Sequence, residues 1–501
     1  MDRISDEKKD AHQATTDAPD VEIAPAEGEE KTYYSKLSVW LMVIFSGLAI
    51  GSDGYNAAVV GNVELLLAVL YPEALTTSIY QRLSNAFLIG MIIGNAVVLL
   101  FGFVVDQLGR KTGAVATTIL LVLGIVLSTA ANGANTTGLF WMLIIARGIA
   151  GVGAGGEYPV SGAGAAEATN ETGQMRKRRG FMFAMLADLS ASLGYVWGGL
   201  VPLLLLLCVG QKEEHYDIVW RTSFALGLVP PVVIFWFRMK MAVSTAYRKS
   251  AMRKQRTPYK LAFKRYWRSF IGGAATWFLY NWISIPFGIF SSTIISRTGA
   301  ENSLIKNLGW GVVINCFYIP GPFLGGYLSD TKLGRRKTMA LGFGLQAILG
   351  FVLGGAIYPI QEIFPLFVVL YGIFLTLGEV GPGSTVLLVA SESFPTSIRG
   401  QMMGLISACS KAGAAIGTQV FTAILNAYAD DSSKGDQVAF LIGSGFAVLG
   451  ALIAFFVIPD VSRQLDDDDA AWKVYLADHG WIAEWGDDVT KDSVVLDRRS
   501  S

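Results

Sequence analysis

The chain has 501 residues, 52% of them hydrophobic and only 16% charged, with 40 basic and 40 acidic residues that cancel. Its mean hydropathy of +0.45 is higher than a soluble domain of this length needs, which places the chain in a lipid bilayer.

Apolar runs long enough to cross a hydrocarbon core of about 30 Å recur in chain order near 38–60, 84–104, 113–131, 139–163, 181–207 and 222–237. Six more follow near 269–294, 308–328, 338–358, 363–388, 401–427 and 438–458. The expected fold is an all-α membrane protein of twelve transmembrane helices in two six-helix halves, 37–237 and 269–458. The segment between the halves, 238–268, holds eleven Lys and Arg and no Asp or Glu. The positive-inside bias makes this linker cytoplasmic. "QLGRK" (107–111), "RKRRG" (176–180), "LGRRK" (333–337) and Arg399 fall on the same side, so both termini are expected in the cytoplasm. The basic runs read as orientation signals and contacts to anionic lipid, not as a nucleic-acid surface.

Residues 1–36 carry ten carboxylates against five Lys and Arg, and the segment 459–501 includes "DDDD" at 466–469. Both read as acidic cytoplasmic tails, solvated or partly disordered, and the polar first 36 residues are not expected to form a cleavable signal. Cys208, Cys316 and Cys409 have no metal-like spacing, and His12, His215 and His479 all fall outside the apolar runs. Neither a metal nor a disulfide framework is expected. Proton chemistry within the membrane falls to carboxylates.

The halves repeat each other. "GFVVDQLGRK" (102–111) joins the second and third runs, and "GYLSDTKLGRRK" (326–337) joins the eighth and ninth with one extra residue. "EATNETGQMRKRRG" (167–180) follows the fourth run as "ESFPTSIRG" (392–400) follows the tenth. Repeats of this kind are a transporter architecture with the substrate site at the midplane between halves. These loops, together with "RGIAGVGAGG" in the fourth run, resemble the major facilitator superfamily. In that superfamily such loops form cytoplasmic ion pairs that latch one conformation, which assigns Asp106, Arg110, Asp330 and Arg335 to gating rather than to substrate.

A finer resemblance lies in "GSDGYN" (51–56), "GGEYPVSG" (155–162), "ATWFLYNW" (275–282), "GPGSTVLLVASESFPT" (381–396) and "SKAGAAIG" (410–417). Together these resemble the phosphate:proton symporter branch, especially its fungal glycerophosphoinositol permeases. The resemblance implies that Asp53, Glu157, Tyr158, Trp277 and Lys411 surround a phosphate. Two departures matter. The inorganic-phosphate members resemble G-D-Y-P where this chain has Glu157, and they place an aspartate where this chain has Asn281. Loss of that carboxylate favours a larger or less charged phosphodiester over inorganic phosphate.

The residues argue the same way on their own chemistry. A charge at the centre of a span costs about 2.5–3.5 kcal/mol on insertion scales, so each one should face a cavity or a partner. Asp53, Arg147, Glu157, Asp188, Glu379 and Lys411 all sit inside apolar runs. At 1.5 Å per residue, Asp53 lies roughly 22 Å and Lys411 roughly 15 Å from the inner ends of their spans, near the midplane in opposite halves. Lys411 suits a phosphate oxygen as a compact point charge; its plainer reading is a fixed bridge to Asp188 or Glu379. Arg147 is a candidate substrate contact, or a structural partner of Asp53 or Asp188. Arg147 and Glu157 are about 15 Å apart along a helix and cannot pair, and the glycines between them permit close helix approach. Trp277 and Asn281, four residues apart, share one face and suit a polyol beside a phosphate. Glu379 reads as a second proton site or as a group that repels small dianions.

There is no G-x-x-x-x-G-K-[ST] loop, and "GVGAGG" sits inside a span beyond the reach of a nucleotide. No enzyme activity and no cofactor are expected. The expected function is proton-coupled uptake of a small anionic glycerophosphodiester by a monomer in the plasma membrane, with Asp53, Glu157, Asp188 and Glu379 as candidate proton carriers. Inorganic phosphate, a sugar, or nutrient sensing without transport are the alternatives.

Overall fold

A computed structural model describes residues 36–100, 110–171, 178–240, 258–297, 303–459 and 465–481. Within them the chain forms twelve long helical stretches. The first half comprises α1 (Lys36–Leu70), α2 (Thr77–Leu100), α3 (Arg110–Thr129), α4 (Thr136–Glu171), α5 (Arg179–Val209) and α6, the last in two pieces, Tyr216–Leu226 and Val229–Lys240. The second half comprises α7 (Tyr259–Ile289 with Ser291–Arg297), α8 (Leu304–Asp330), α9 (Gly334–Gly355), α10 (Phe364–Glu392), α11 (Thr396–Ala427) and α12 (Ser432–Phe456). Helix is the form expected of a spanning chain, because lipid offers backbone N–H and C=O groups no other partner.

Each half has its own packing core. In the first, α4 lies against α2 and α3, and α1 against α5; in the second, α7 lies against α11 and α9 against α12. The glycines of α4 make the first of these possible. Gly151 sits so close to the Phe87 carbonyl and to Gly90 that a side-chain carbon there would overlap the backbone of α2. Between the halves, α2 packs on α11 and α5 on α8. Large apolar side chains such as Trp197, Leu204, Ile348 and Phe351 are exposed on the outer faces, as a lipid-facing surface requires.

Besides the breaks inside α6 at 227–228 and α8 at 317–319, three helices depart from regular geometry. The two pieces of α7 meet at an angle of 57°. Pro286 lies inside the first piece, one turn before the break at Phe290, and supplies no N–H to the helical ladder. In α5 residues Ala184–Leu189, and in α10 residues Glu379–Gly383, form π-helical turns. Such turns rotate the register of the next helical segment and are frequent at functional sites.

Two boundaries differ from the sequence expectation. Helix α7 begins at Tyr259, inside the stretch expected to be linker. The acidic tail is not solvated throughout: α13 (Leu465–Asp478) folds back under the second half. Its Asp469 carboxylate accepts hydrogen bonds from the Thr396 backbone N–H at 2.5 Å and hydroxyl at 2.6 Å, at the start of α11. Trp472 and Leu476, four residues apart, are each 1% exposed, and the Trp472 ring lies 5.7 Å from that of Tyr266. An acidic run reads as a solvated face, but carboxylates also favour a helix N-terminus, and two apolar positions one turn apart provide the anchor.

Trp472→Ala should therefore lower the thermal stability of the detergent-purified protein substantially, by about 3–5 kcal/mol for loss of a buried aromatic. Val474→Ala on the exposed face of the same helix should stay within about 0.5 kcal/mol.

Candidate functional site

A cavity opens between the halves, lined by α1, α2 and α5 on one side and α7, α8, α10 and α11 on the other. Its polar lining is Asp53, Asp188, Ser192 and Tyr195 from the first half and Tyr280, Asn281, Ser284, Tyr318, Glu379 and Lys411 from the second, beside Trp277. Asp53, Asp188, Trp277, Asn281, Glu379 and Lys411, picked out in the sequence on five helices, thus meet in one place. The backbone of α4 runs through Glu157 and Tyr158, and their side chains lie outside the described residues, as do Asp106 and the side chain of Arg110.

Lys411 is 6% exposed and Asp53 3%, and Asp53 is the charge that acts on Lys411 across the cavity. The counter-charge of Lys411 is thus Asp53 rather than Asp188 or Glu379, and it comes from the opposite half. Asn281 holds the neighbouring turn of α11, donating through Nδ2 to the carbonyl and the hydroxyl of Ser410, each at 3.3 Å. An aspartate at 281 would have no donor for that carbonyl, so the amide both faces the cavity and fixes the helix that carries Lys411.

Asp188 and Glu379 form a second cross-half contact. Their carboxyl groups converge from opposite halves on the space beside Gly383. Asp188 lies in the π-turn of α5, and Glu379 opens that of α10. Glu379 also accepts from the Tyr280 hydroxyl at 2.6 and 2.7 Å and from the Ser284 hydroxyl at 3.1 Å. A side-chain carbon at Gly383 would overlap the Glu379 carboxylate and crowd that of Asp188; only glycine leaves room for the pair. Tyr195 and Tyr318, 5.6 Å apart between ring centroids, flank it from the two halves. Neither tyrosine stands out in the sequence, where an aromatic in a span reads first as packing.

Arg147 is placed elsewhere. It does not line the cavity but lies between the rings of Phe87 and Phe224, 5.2 Å from each, and donates to the Asn56 carbonyl at 2.8 Å. The carboxylate acting on it is Glu64, not Asp53 or Asp188. In this conformation Arg147 is a strut between α4 and α1, held by ring faces and a backbone carbonyl.

Contacts between the halves flank the cavity at both ends. At the end bearing the basic loops, the Asp330 carboxylate at the foot of α8 accepts from the Gly180 and Phe181 backbone N–H groups, at 3.0 and 2.8 Å. These are otherwise orphan donors at the first turn of α5. Glu392 takes Arg179 at 3.4 Å and Arg335 at 3.1 Å, and Arg335 also approaches Asp330 at 3.6 Å. Asp330 and Arg335 therefore join a cluster of ion pairs between the halves whose centre is Glu392, a residue legible in "ESFPTSIRG" only as part of a motif. At the opposite end the Ser292 hydroxyl donates to Asn62 Oδ1 at 2.8 Å, and Gly61 presses against the Ile289 carbonyl.

The sequence model for the sugar (and other) transporter family matches residues 39–466. The chain belongs to that family, within the major facilitator superfamily. Glycerophosphoinositol permease 1 of Candida albicans is 38% identical over 456 residues, 90% of this chain and 84% of that protein. Glycerophosphoinositol transporter 1 of Saccharomyces cerevisiae is 34% identical over 93% of this chain and 88% of its own length. Low affinity inorganic phosphate transporter 4 of Lotus japonicus is more distant, at 25% over 85% of this chain and 90% of its own. In three dimensions the chain matches the proton:xylose symporter XylE with a TM-score of 0.70 at 18% identity, over 88% of this chain and all of that one, which establishes the shared fold. The protein is a multi-pass membrane transporter by family, and its relatives are permeases rather than enzymes.

Glu392→Gln should weaken the ion-pair cluster by leaving two buried guanidinium groups short of charge. In a variant with Cys208, Cys316 and Cys409 replaced and one cysteine introduced at Ser192, alkylation from the basic end should rise by about tenfold or more, the equivalent of 1.4 kcal/mol.

Proposed function

We propose that the protein takes up a glycerophosphodiester together with protons, by alternating access between its two halves. The observation that carries this reading is Lys411 facing Asp53 across the cavity, one from each half. A phosphodiester monoanion entering from outside supplies Lys411 with a counter-charge that competes with Asp53, so substrate occupancy alters the balance between the halves. Relatives named for glycerophosphoinositol and glycerophosphocholine at 33–38% identity support the diester over inorganic phosphate. So does Asn281, which leaves span 7 without an acid at the cavity.

Trp277 and Asn281 lie on one face of α7 and give the bound diester an aromatic wall and an amide. Tyr158 remains a candidate phosphate contact on α4, and Arg147 acts through the position of α1. Proton coupling falls to Asp53, Glu157, Asp188 and Glu379. The facing carboxyl groups of Asp188 and Glu379 give the strongest support, because two acids brought together from opposite halves favour a shared proton that is released when the halves part. Entry of an anion into an inside-negative cell needs cotransported protons, at about 2.3 kcal/mol per charge per 100 mV. The basic loops orient the latch end toward the cytoplasm, with both termini on that side and the plasma membrane as the site of uptake. One chain completes the cavity, so it works as a monomer.

An uptake panel of glycerophosphoinositol, glycerophosphocholine, inorganic phosphate and hexoses in a permease-deficient host tests the reading. Labelled diester should accumulate in acid medium, and Lys411→Ala should reduce it to background while the protein still reaches the membrane. Accumulation of hexose or phosphate instead, binding without accumulation, or near-normal diester affinity in Lys411→Ala would overturn it.

A further inference from the structure

Glu64 is a buried carboxylate that the cavity does not use. It lies on α1, eleven residues beyond Asp53, about 16 Å further along the axis and within about 20° of the same helix face. Its side chain is fully buried, at 0% exposure. The Ser84 hydroxyl of α2 donates to Oε1 at 2.6 Å, and Tyr80, one turn earlier on the same helix, is a neighbour of Glu64. Oε2 has no hydrogen-bond partner among the described residues.

The position is where the halves close at the end away from the basic loops. Tyr80 stacks on Phe290, with ring centroids 6.0 Å apart, and Phe290 is the residue at which α7 breaks. Asn62 and Gly61, shortly before Glu64 on α1, contact Ser292 and Ile289 of α7. Glu64, with Ser84 and Tyr80 beside it, therefore lies against the bend of α7, reached through the Tyr80–Phe290 stack and the Asn62–Ser292 bond. The charged and titratable groups facing it are Tyr80 on α2, Arg147 on α4 and Arg297 at the end of α7, the last acting on Tyr80. Arg147 is turned to the Asn56 carbonyl, and the rings of Phe87 and Phe224 hold it there.

A purely structural counter-charge would be fully engaged, because a buried carboxylate oxygen without a donor costs about 1–3 kcal/mol. A carboxylic acid has no such deficit, since its own proton occupies the open oxygen. We propose that Glu64 is the proton-loading residue of the outer closure: it takes a proton from external hydronium while α1 and the second piece of α7 are apart, and the halves close over it as the neutral acid. Loading forms one O–H bond at the Glu64 carboxylate and leaves water. Acid outside thus favours closure, and closure commits the transporter to face inward. The inference rests on the orientation and the coupled uptake proposed above.

The test is the pH profile of diester uptake between about pH 5 and about pH 8, in wild type and in Glu64→Gln, Glu64→Asp and Tyr80→Phe. Wild-type uptake should fall with a slope approaching about tenfold per unit once the group is ionised, the limit for one proton. Glu64→Gln, fixed in the neutral form, should lose most of that slope, and Glu64→Asp should restore it. Tyr80→Phe keeps the ring stacked on Phe290 and removes only the hydroxyl. It should shift the midpoint by about half a unit or more, and it provides the reading if Glu64→Gln fails to reach the membrane. A wild-type profile in Glu64→Gln, or in Tyr80→Phe if that is the variant available, would overturn the proposal and leave coupled uptake standing. A wild type with no pH dependence would overturn both.

Discussion

Charges buried between the two halves draw partners from the other half as well as their own, and the rest of the structure depends on that constraint. Lys411 meets Asp53 across the cavity, Asp188 meets Glu379, and Arg179 with the first turn of α5 meets Glu392 and Asp330. None of these contacts is made within one half. Separating the halves breaks each of them. A buried ion pair is worth little net against its desolvation, yet breaking one costs about 3–5 kcal/mol. Closure held by such contacts is therefore nearly balanced against hydration of the parted charges. An anion or a proton that replaces one partner can then redirect it, because a ligand shifts an equilibrium by its differential affinity for the two states.

The irregular helices serve the same end. A regular helix repeats its faces and cannot aim a carboxyl out of register, whereas the π-turns in α5 and α10 each bring one carboxyl group to the shared contact, with Gly383 leaving the space. The break in α7 lets its second piece meet α1 through Ser292 and Asn62, and Gly61 allows the close approach of Ile289 just before the break. Between these points the glycines of α4 lock the first half into one body. The result is two firm halves with adjustable contacts between them.

Much of this is legible in the sequence, for a physical reason. Charges inside apolar runs are costly enough to stand out, so Asp53, Asp188, Glu379 and Lys411 are visible before any helix is placed, and the loop repeats give the architecture. Pairing is not legible, because a partner on another helix leaves no trace in spacing: the sequence points Arg147 to the substrate or to Asp53 or Asp188, and it lies instead between two rings beside Glu64. Glu64 itself escapes because the first apolar run reads as ending near residue 60, which puts it outside the membrane. Helix α1 continues to Leu70. Trp472 is hidden by the acidic run that precedes it, and Tyr195 and Tyr318 by the ordinary use of aromatics in packing.

The central claim is that substrate phosphate and Asp53 compete for Lys411. Calorimetric titration of glycerophosphoinositol into the detergent-purified protein, wild type and Asp53→Asn, tests it most directly. Removing the competing carboxylate should tighten binding by about tenfold or more, equivalent to 1.4 kcal/mol, and should flatten the dependence of affinity on pH. Binding that is unchanged or weaker in Asp53→Asn, with the wild-type pH dependence intact, would contradict the account.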